Sequence, residues 1–178
     1  MRTDAILEQQ LSMILAAMMP GNRRVLQVML RTGLRVGDVL ALPRDKIGRQ
    51  FTVTEAKTGK RMKCGLPDWL AEDIRRSSAG SPWAFPSPND PKQHRTRQAV
   101  WRDIKRVQKA FRLPVNLGTH SARKSYAVHL MHQYGDIEKV RKALNHSNST
   151  ITALYAMADI LAQAAPSRRV QWKRRRNA

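Results

Sequence analysis

IGRQFTVTEAKTGKRMKCGL, Ile47 to Leu66, is the stretch where the apolar period of the chain changes. Phe51 and Val53 alternate with Thr52 and Thr54, and Met62, Cys64 and Leu66 alternate with Arg61, Lys63 and Gly65. Alternation at period two belongs to a strand with one buried face. Lys57-Thr58-Gly59-Lys60 joins the two runs, so the stretch is expected to form a β-hairpin with a basic tip.

Outward from the hairpin the period is helical. Residues 4–19 and 22–32 read as two helices separated by Pro20-Gly21, the second with the stripe Val25, Leu26, Met29 and Leu30 and with Gly33 placed to end it. Val36 to Leu42 reads as a short helix stopped by Pro43, and Pro67 to Ser77 as another. Ser78 to Pro91, with Gly80 and four prolines, reads as a loop. Thr96 to Arg112 has the strongest pattern, with Val100, Ile104, Val107 and Phe111 on one stripe and most of its Arg and Lys off it. Thr119 is expected to cap a helix that runs to Tyr134 and ends at Gly135. Asp136 then starts a short helix with the stripe Ile137, Val140 and Leu144. A last long helix is expected from near Thr150. The fold class is therefore mainly α with one small antiparallel hairpin. A single domain over residues 1–165 is expected, followed at 166–178 by a basic tail that is disordered until it meets an anion.

The charge is the outlier in composition. Lys and Arg number 33 against 13 Asp and Glu, a formal net charge of +20 in 178 residues. Such an excess repels itself unless a polyanion offsets it, and nucleic acid is the leading candidate. An anionic membrane is disfavoured, because no helix combines basic flanks with an exposed apolar stripe, and Leu11 to Met19 is too short to span a bilayer. The single cysteine, Cys64, allows no internal disulfide and points to a reducing cytoplasm. One cysteine and five histidines show no zinc-ligand spacing, and the acidic residues form no spaced set for Mg²⁺. GxxxxGK[ST] and GxSxG are both absent.

An enzyme that works on nucleic acid without a metal must draw its charge stabilisation from Arg, Lys and His, and it needs a nucleophile. Thr119-His120-Ser121-Ala122-Arg123 puts His120 and Arg123 on one face of a helix start, where an anion is favoured. Arg35 follows a glycine-marked break, with Asp38 three residues on and able to orient its guanidinium. Lys57 lies at the hairpin tip. His146 and Tyr155 stand nine residues apart, and on one continuous helix their rings would point in opposite directions. Ser147 to Thr150, a run of turn and cap formers, is expected to break that helix. Each of these residues also has a bland reading. Arg35, Arg123 and Lys57 could be surface cations, His120 a helix-start residue, His146 a C-terminal cap, and Tyr155 a core residue on the stripe of Ile151, Leu154 and Ala158.

In this order and spacing the chain resembles the catalytic domain of the tyrosine recombinases, the phage-integrase family. The resemblance rests on Thr32-Gly33-Leu34-Arg35-Val36-Gly37-Asp38, then Lys57-Thr58-Gly59-Lys60 and His120-Ser121-Ala122-Arg123. It continues with Leu144-Asn145-His146 and ends at Tyr155. Asn145 stands where the family usually has glycine, a substitution that a left-handed backbone tolerates in Asn. The family's N-terminal clamp domain has no counterpart in the 178 residues, so a stand-alone catalytic domain is expected, as in invertase-like members or integrase-like relaxases.

The resemblance implies DNA cleavage by Tyr155 through a 3′-phosphotyrosyl link, with no metal or other cofactor. Arg35 and Arg123 would hold the phosphate, Lys57 would protonate the leaving 5′-oxygen, His120 would assist proton transfer, and His146 would bond the phosphate. Asp38 would buttress the site. Lys60, the helix cations Arg102, Lys105, Arg106 and Lys109, and the tail cations Arg168, Arg169, Lys173, Arg174, Arg175 and Arg176 would contact DNA. The implied partner is double-stranded DNA, single-stranded where a nick opens it, with several copies of the chain assembling on it. The implied setting is the cytoplasm of a prokaryotic cell, with the chain encoded by a mobile element. Site-specific recombination and plasmid-mobilising relaxation both fit the resemblance, and the alternative is a non-catalytic DNA-binding accessory protein.

Overall fold

The computed structural model describes residues 4–6 and 8–145. The elements run α1 (Glu8–Ala17), α2 (Pro20–Thr32), α3 (Val36–Leu40), β1 (Gln50–Thr54), β2 (Arg61–Gly65), α4 (Asp68–Ser77), α5 (Arg97–Ala110), α6 (Ser121–Tyr134) and α7 (Ile137–Ala143). A short 3₁₀ turn, Arg44–Lys46, lies between α3 and β1. The mainly helical class with one small sheet is the one the two periods imply.

α2 is the centre of the packing and touches α1, α3, α5, α6 and β2. Its buried residues, Val25, Leu26, Val28 and Met29 with Asn22 and Thr32, cover more than one face, which a helix enclosed by neighbours requires. The hairpin pairs Phe51 with Cys64 and Val53 with Met62, and all four are buried. Burying such side chains contributes roughly 1.5–3 kcal/mol each. A two-stranded sheet is marginal alone, so the hairpin persists through this one packed face. One core cluster runs from Ile6 to Ala122. Ala127, Leu130, Val140 and Leu144 form a second that joins α6 to α7.

Several boundaries differ from those read in the sequence. The first helix spans Glu8–Ala17 rather than 4–19, and Pro20 opens α2 instead of separating two helices, because proline suits the first helical turn. The third helix stops at Leu40, ahead of Leu42. In α5 Thr96 is the N-cap, its hydroxyl accepting from Ala99 N–H at 3.1 Å. Phe111 lies beyond the helix and is 44% exposed, so the apolar stripe ends at Val107. Thr119 does not cap α6. His120 holds the cap position without a side-chain bond, and Ser121 Oγ instead accepts from Gly118 N–H at 3.0 Å. The final helix and the basic tail lie outside the described residues.

A buried polar knot ties α2 to α5. Asp103 Oδ2 accepts from Met19 N–H and from Asn22 Nδ2, each at 2.9 Å, and Oδ1 accepts from Arg106 Nη2 at 2.7 Å. Asp103→Ala would orphan the Met19 and Asn22 donors, at about 1–3 kcal/mol each. The expected result is a loss of unfolding free energy on the order of 2–4 kcal/mol with little change in the denaturant slope. Urea denaturation of the purified chain checks it, and an unchanged midpoint would show that the knot contributes nothing.

Candidate active site

The site is assembled where α2 ends, the hairpin turns and α6 begins. Gly33 ends α2 in the left-handed region, at φ 68°, with its N–H bonded to Met29 O. A Cβ at this position would run into the Tyr126 ring as well as being strained by the backbone, so glycine is required twice over. The turn delivers Arg35 to the residue before α3, in extended backbone. Arg35 Nη1 donates to Glu55 Oε1 at 2.6 Å.

Arg123, in the first turn of α6, is 4% exposed. Its Nη1 donates to Gly33 O at 2.6 Å and lies 3.4 Å from Glu55 Oε1, and its Nη2 donates to Leu144 O at 2.6 Å. One guanidinium therefore joins the end of α2, the hairpin and the end of α7. Arg35 and Arg123, 88 residues apart in the chain, meet at a single carboxylate.

That carboxylate, Glu55, was missed in reading the sequence. A signal for it existed: Phe51, Val53 and Glu55 continue the inward register of β1, and an inward carboxylate needs cations. Glu55 is fully buried, and burial by itself would raise its pKa. Hydrogen bonds from Thr58 and Arg35, with the charges of Arg35 and Arg123, outweigh that and hold it below the ordinary carboxylate value. Two guanidiniums against one carboxylate leave one positive charge in excess, in a partly desolvated place that suits an anion.

Lys57 is exposed on the turn between the strands. Asp38 Oδ1 accepts from Ala56 N–H at 3.0 Å, so Asp38 holds the turn beside Lys57, and the carboxylate on the Arg35 guanidinium is that of Glu55. Asp38 Oδ2 is buried with no hydrogen-bond partner among the described residues. His120 lies at the start of α6. Partial desolvation, then the positive charges of Arg97, Arg123, Arg35 and Lys124, push its imidazole below the ordinary histidine value and favour the neutral ring. Arg97 is a second residue that sequence reading passed over. Arg97 opens α5, and its charge reaches His120 only through the tertiary fold, which no local pattern announces.

His146 and Tyr155 lie outside the described residues. Just before them α7 ends at Ala143, and Asn145 adopts φ 51°, the left-handed backbone that asparagine tolerates. Among the intended DNA contacts, Lys60, Arg102 and Lys109 are exposed. Arg106 is engaged with Asp103 and Ala17 O, and Lys105 donates to Gln108 and Asn116 side chains. The tail cations are outside the described residues. Cys64 is buried, and burial followed by the Glu55 charge pushes its thiol up to about 11, far from a nucleophilic thiolate. Among the described residues no group of His, Cys, Asp and Glu is placed to hold a metal ion, and no helix is long and apolar enough to cross a membrane.

Comparison with known proteins shows the family and the fold. Residues 4–160 match the Phage integrase family. Tyrosine recombinase XerD of Bradyrhizobium diazoefficiens is 32% identical over 148 residues, covering 74% of this chain and 46% of that protein. The Integrase of Escherichia phage P2 is 27% identical over 155 residues, covering 86% of this chain and 43% of that protein. The chain thus spans a little under half the length of these two relatives. Among solved structures, the catalytic domain of bacteriophage HP1 integrase aligns with a TM-score of 0.66 at 18% identity, covering 93% of this chain and 96% of that one. A lambda integrase dimer bound to a COC′ core site aligns at 0.71 and 19%, over 88% and 48%. With the arginine pair, the lysine turn and His120 gathered in that fold, the chain belongs to the phage integrase family.

Proposed function

We propose that the chain cleaves and rejoins DNA strands through a 3′-phosphotyrosyl intermediate at Tyr155, as the catalytic part of a site-specific recombinase. The observation that carries the reading is the convergence of Arg35 and Arg123 on one buried carboxylate, beside the lysine turn and with His120 in their field. The net positive charge left there matches a phosphodiester. Its two non-bridging oxygens would sit against the two guanidiniums, whose charge stabilises the phosphorane as it forms. Tyr155 Oη bonds to phosphorus, the bond to the 5′-oxygen breaks, and that oxygen takes a proton from the Lys57 ammonium. Neutral His120 accepts the tyrosine proton, directly or through water. The covalent link conserves the ester, so a second 5′-hydroxyl can reverse the step on another strand.

His146 would bond the phosphate. Its approach is supported by the hydrogen bond from Arg123 to Leu144 O, two residues earlier. Exposed Lys60, Arg102 and Lys109 offer backbone contacts to duplex DNA. Family relatives solved on DNA include a lambda integrase tetramer bound to a Holliday junction, which supports assembly of several copies on two duplexes.

The test is covalent trapping. Duplexes drawn from the locus that encodes the chain are incubated with it, denatured in SDS and examined for protein on a 3′ end. Paired cuts and Holliday junctions identify a recombinase, and one nick at one site identifies a relaxase of the same chemistry. Salt-sensitive binding without any trapped species would instead favour a DNA-binding accessory protein.

The charges around His120 also set a pH dependence. Because partial burial, and after it the neighbouring cations, disfavour imidazolium, the acid limb of the cleavage rate is expected below the ordinary histidine value of about 6.5. Arg97→Ala removes one of those cations and is expected to move that limb to higher pH. A pH–rate profile of both proteins checks it, and coincident acid limbs would sever His120 from the proton transfer.

A further inference from the structure

Glu55 is bound at both ends. Its carboxylate Oε1 takes Arg35 Nη1 at 2.6 Å and lies 3.4 Å from Arg123 Nη1. Its Oε2 accepts from the Thr58 hydroxyl at 2.8 Å. Its backbone N–H donates to Lys60 O at 3.0 Å, and its carbonyl accepts from Gly59 N–H at 2.8 Å and Thr58 N–H at 3.3 Å. These contacts enclose Ala56 to Gly59, the turn that presents Lys57. One carboxylate oxygen belongs to the arginines, and the other oxygen and the backbone belong to the lysine turn.

The geometry of phosphoryl transfer makes this double attachment useful. The oxygens held by the arginines and the oxygen that leaves are bonded to one phosphorus, so proton donor and anion clamp must keep a common register to within about 0.5 Å. Lys57, however, is exposed on the tip of a two-stranded hairpin, the type of element with low local stability. Without a tie to the protein interior, the lysine and the arginines would move independently. Glu55 supplies the tie from the interior, and Thr58 closes it at the exposed end.

We propose that Glu55 is a positioning residue that locks the Lys57 turn to the Arg35–Arg123 pair, with the Thr58 hydroxyl as its latch. This rests on the cleavage reaction proposed above. Loosening the latch should hurt the delivery of the proton to the 5′-oxygen and spare the binding of the phosphate. A 5′-bridging phosphorothiolate separates the two. In it the phosphorus–sulfur bond breaks and the electron pair leaves on sulfur, and a thiolate, whose conjugate acid has a pKa of about 8.5, departs without receiving a proton.

The experiment uses the full chain on whichever duplex the wild type cleaves, made with oxygen or with sulfur at the scissile 5′ position. Thr58→Val is expected to slow cleavage of the oxygen duplex about 10–100-fold with unchanged DNA affinity, and to cleave the sulfur duplex close to the wild-type rate. Thr58→Ser, which keeps the hydroxyl, is expected to match the wild type on both. Glu55→Gln is expected to slow both duplexes, because the arginines lose their shared charge as well. Equal slowing of both duplexes by Thr58→Val, or no slowing of either, overturns the proposal. A wild type that cleaves no duplex overturns the underlying reaction instead.

Discussion

Arg123→Ala is expected to lower the rate of strand cleavage by about 10²–10³-fold or more, the size of effect seen when one preorganised donor to a developing oxyanion is removed. The structure adds a second cost. Arg123 donates to Gly33 O and Leu144 O and lies against Glu55, and all of these contacts are buried. Its removal leaves two carbonyls short of a donor, at roughly 1–3 kcal/mol each, and leaves Glu55 with Arg35 and Thr58 alone. Arg123→Lys separates the two effects. A lysine restores the charge, but its compact ammonium cannot reach Gly33 O, Glu55 and Leu144 O as a planar fork does. It is expected to recover more of the stability than of the rate. Urea unfolding and single-turnover cleavage of the three proteins check this, and near-normal cleavage by Arg123→Ala would remove the arginine from the phosphate site.

Tyr155→Phe is expected to abolish the covalent protein–DNA complex while leaving binding intact. Phenylalanine removes one hydroxyl and keeps the ring, so any packing by Tyr155 survives and only the nucleophile is lost. The loss should be complete to the limit of detection, since the other candidate groups donate protons or hold the phosphate. The gap between binding and cleavage is the informative quantity. Binding should still weaken with salt in a log–log plot of slope roughly −0.9 per phosphate neutralised, as for the unaltered chain. A mutant that remains trapped on a 3′ end in SDS would identify another nucleophile and would remove Tyr155 from the reaction.

The hairpin was legible because two constraints coincide there. The period of two spans both strands, and the turn Lys57-Thr58-Gly59-Lys60 falls between them, with Gly59 at φ 68°. The stripes of α2 and α5 were equally plain, because Val25, Leu26 and Met29, or Val100, Ile104 and Val107, recur at helical spacing. Helix ends were less legible. Thr119 has the right side chain for a cap, but the chain places Ser121 in that local bonding, a choice made by the three-residue turn back to Gly118. Phe111 continues the stripe of α5 on paper. Lys109 and Val107 carbonyls close the helix before it, and Phe111 turns outward.

Within the candidate site, Arg35, Lys57, His120 and Arg123 stood out in short motifs, and the family resemblance joined them into one site. Their partners did not stand out. Asp38 seemed the natural support for Arg35 at three residues' distance, but its oxygen turns to Ala56 N–H, and Glu55, twenty residues away in sequence, receives the guanidinium. Sequence alone determined the periods, the turns, the charge and the order of the chemical groups, because those depend on neighbours within a few residues. Only the tertiary structure decided which carboxylate meets which cation. Burial makes an unpaired charge so costly that pairing is settled by whatever long-range packing brings within about 3 Å. In this chain that packing sets α2, the hairpin and α6 around Glu55.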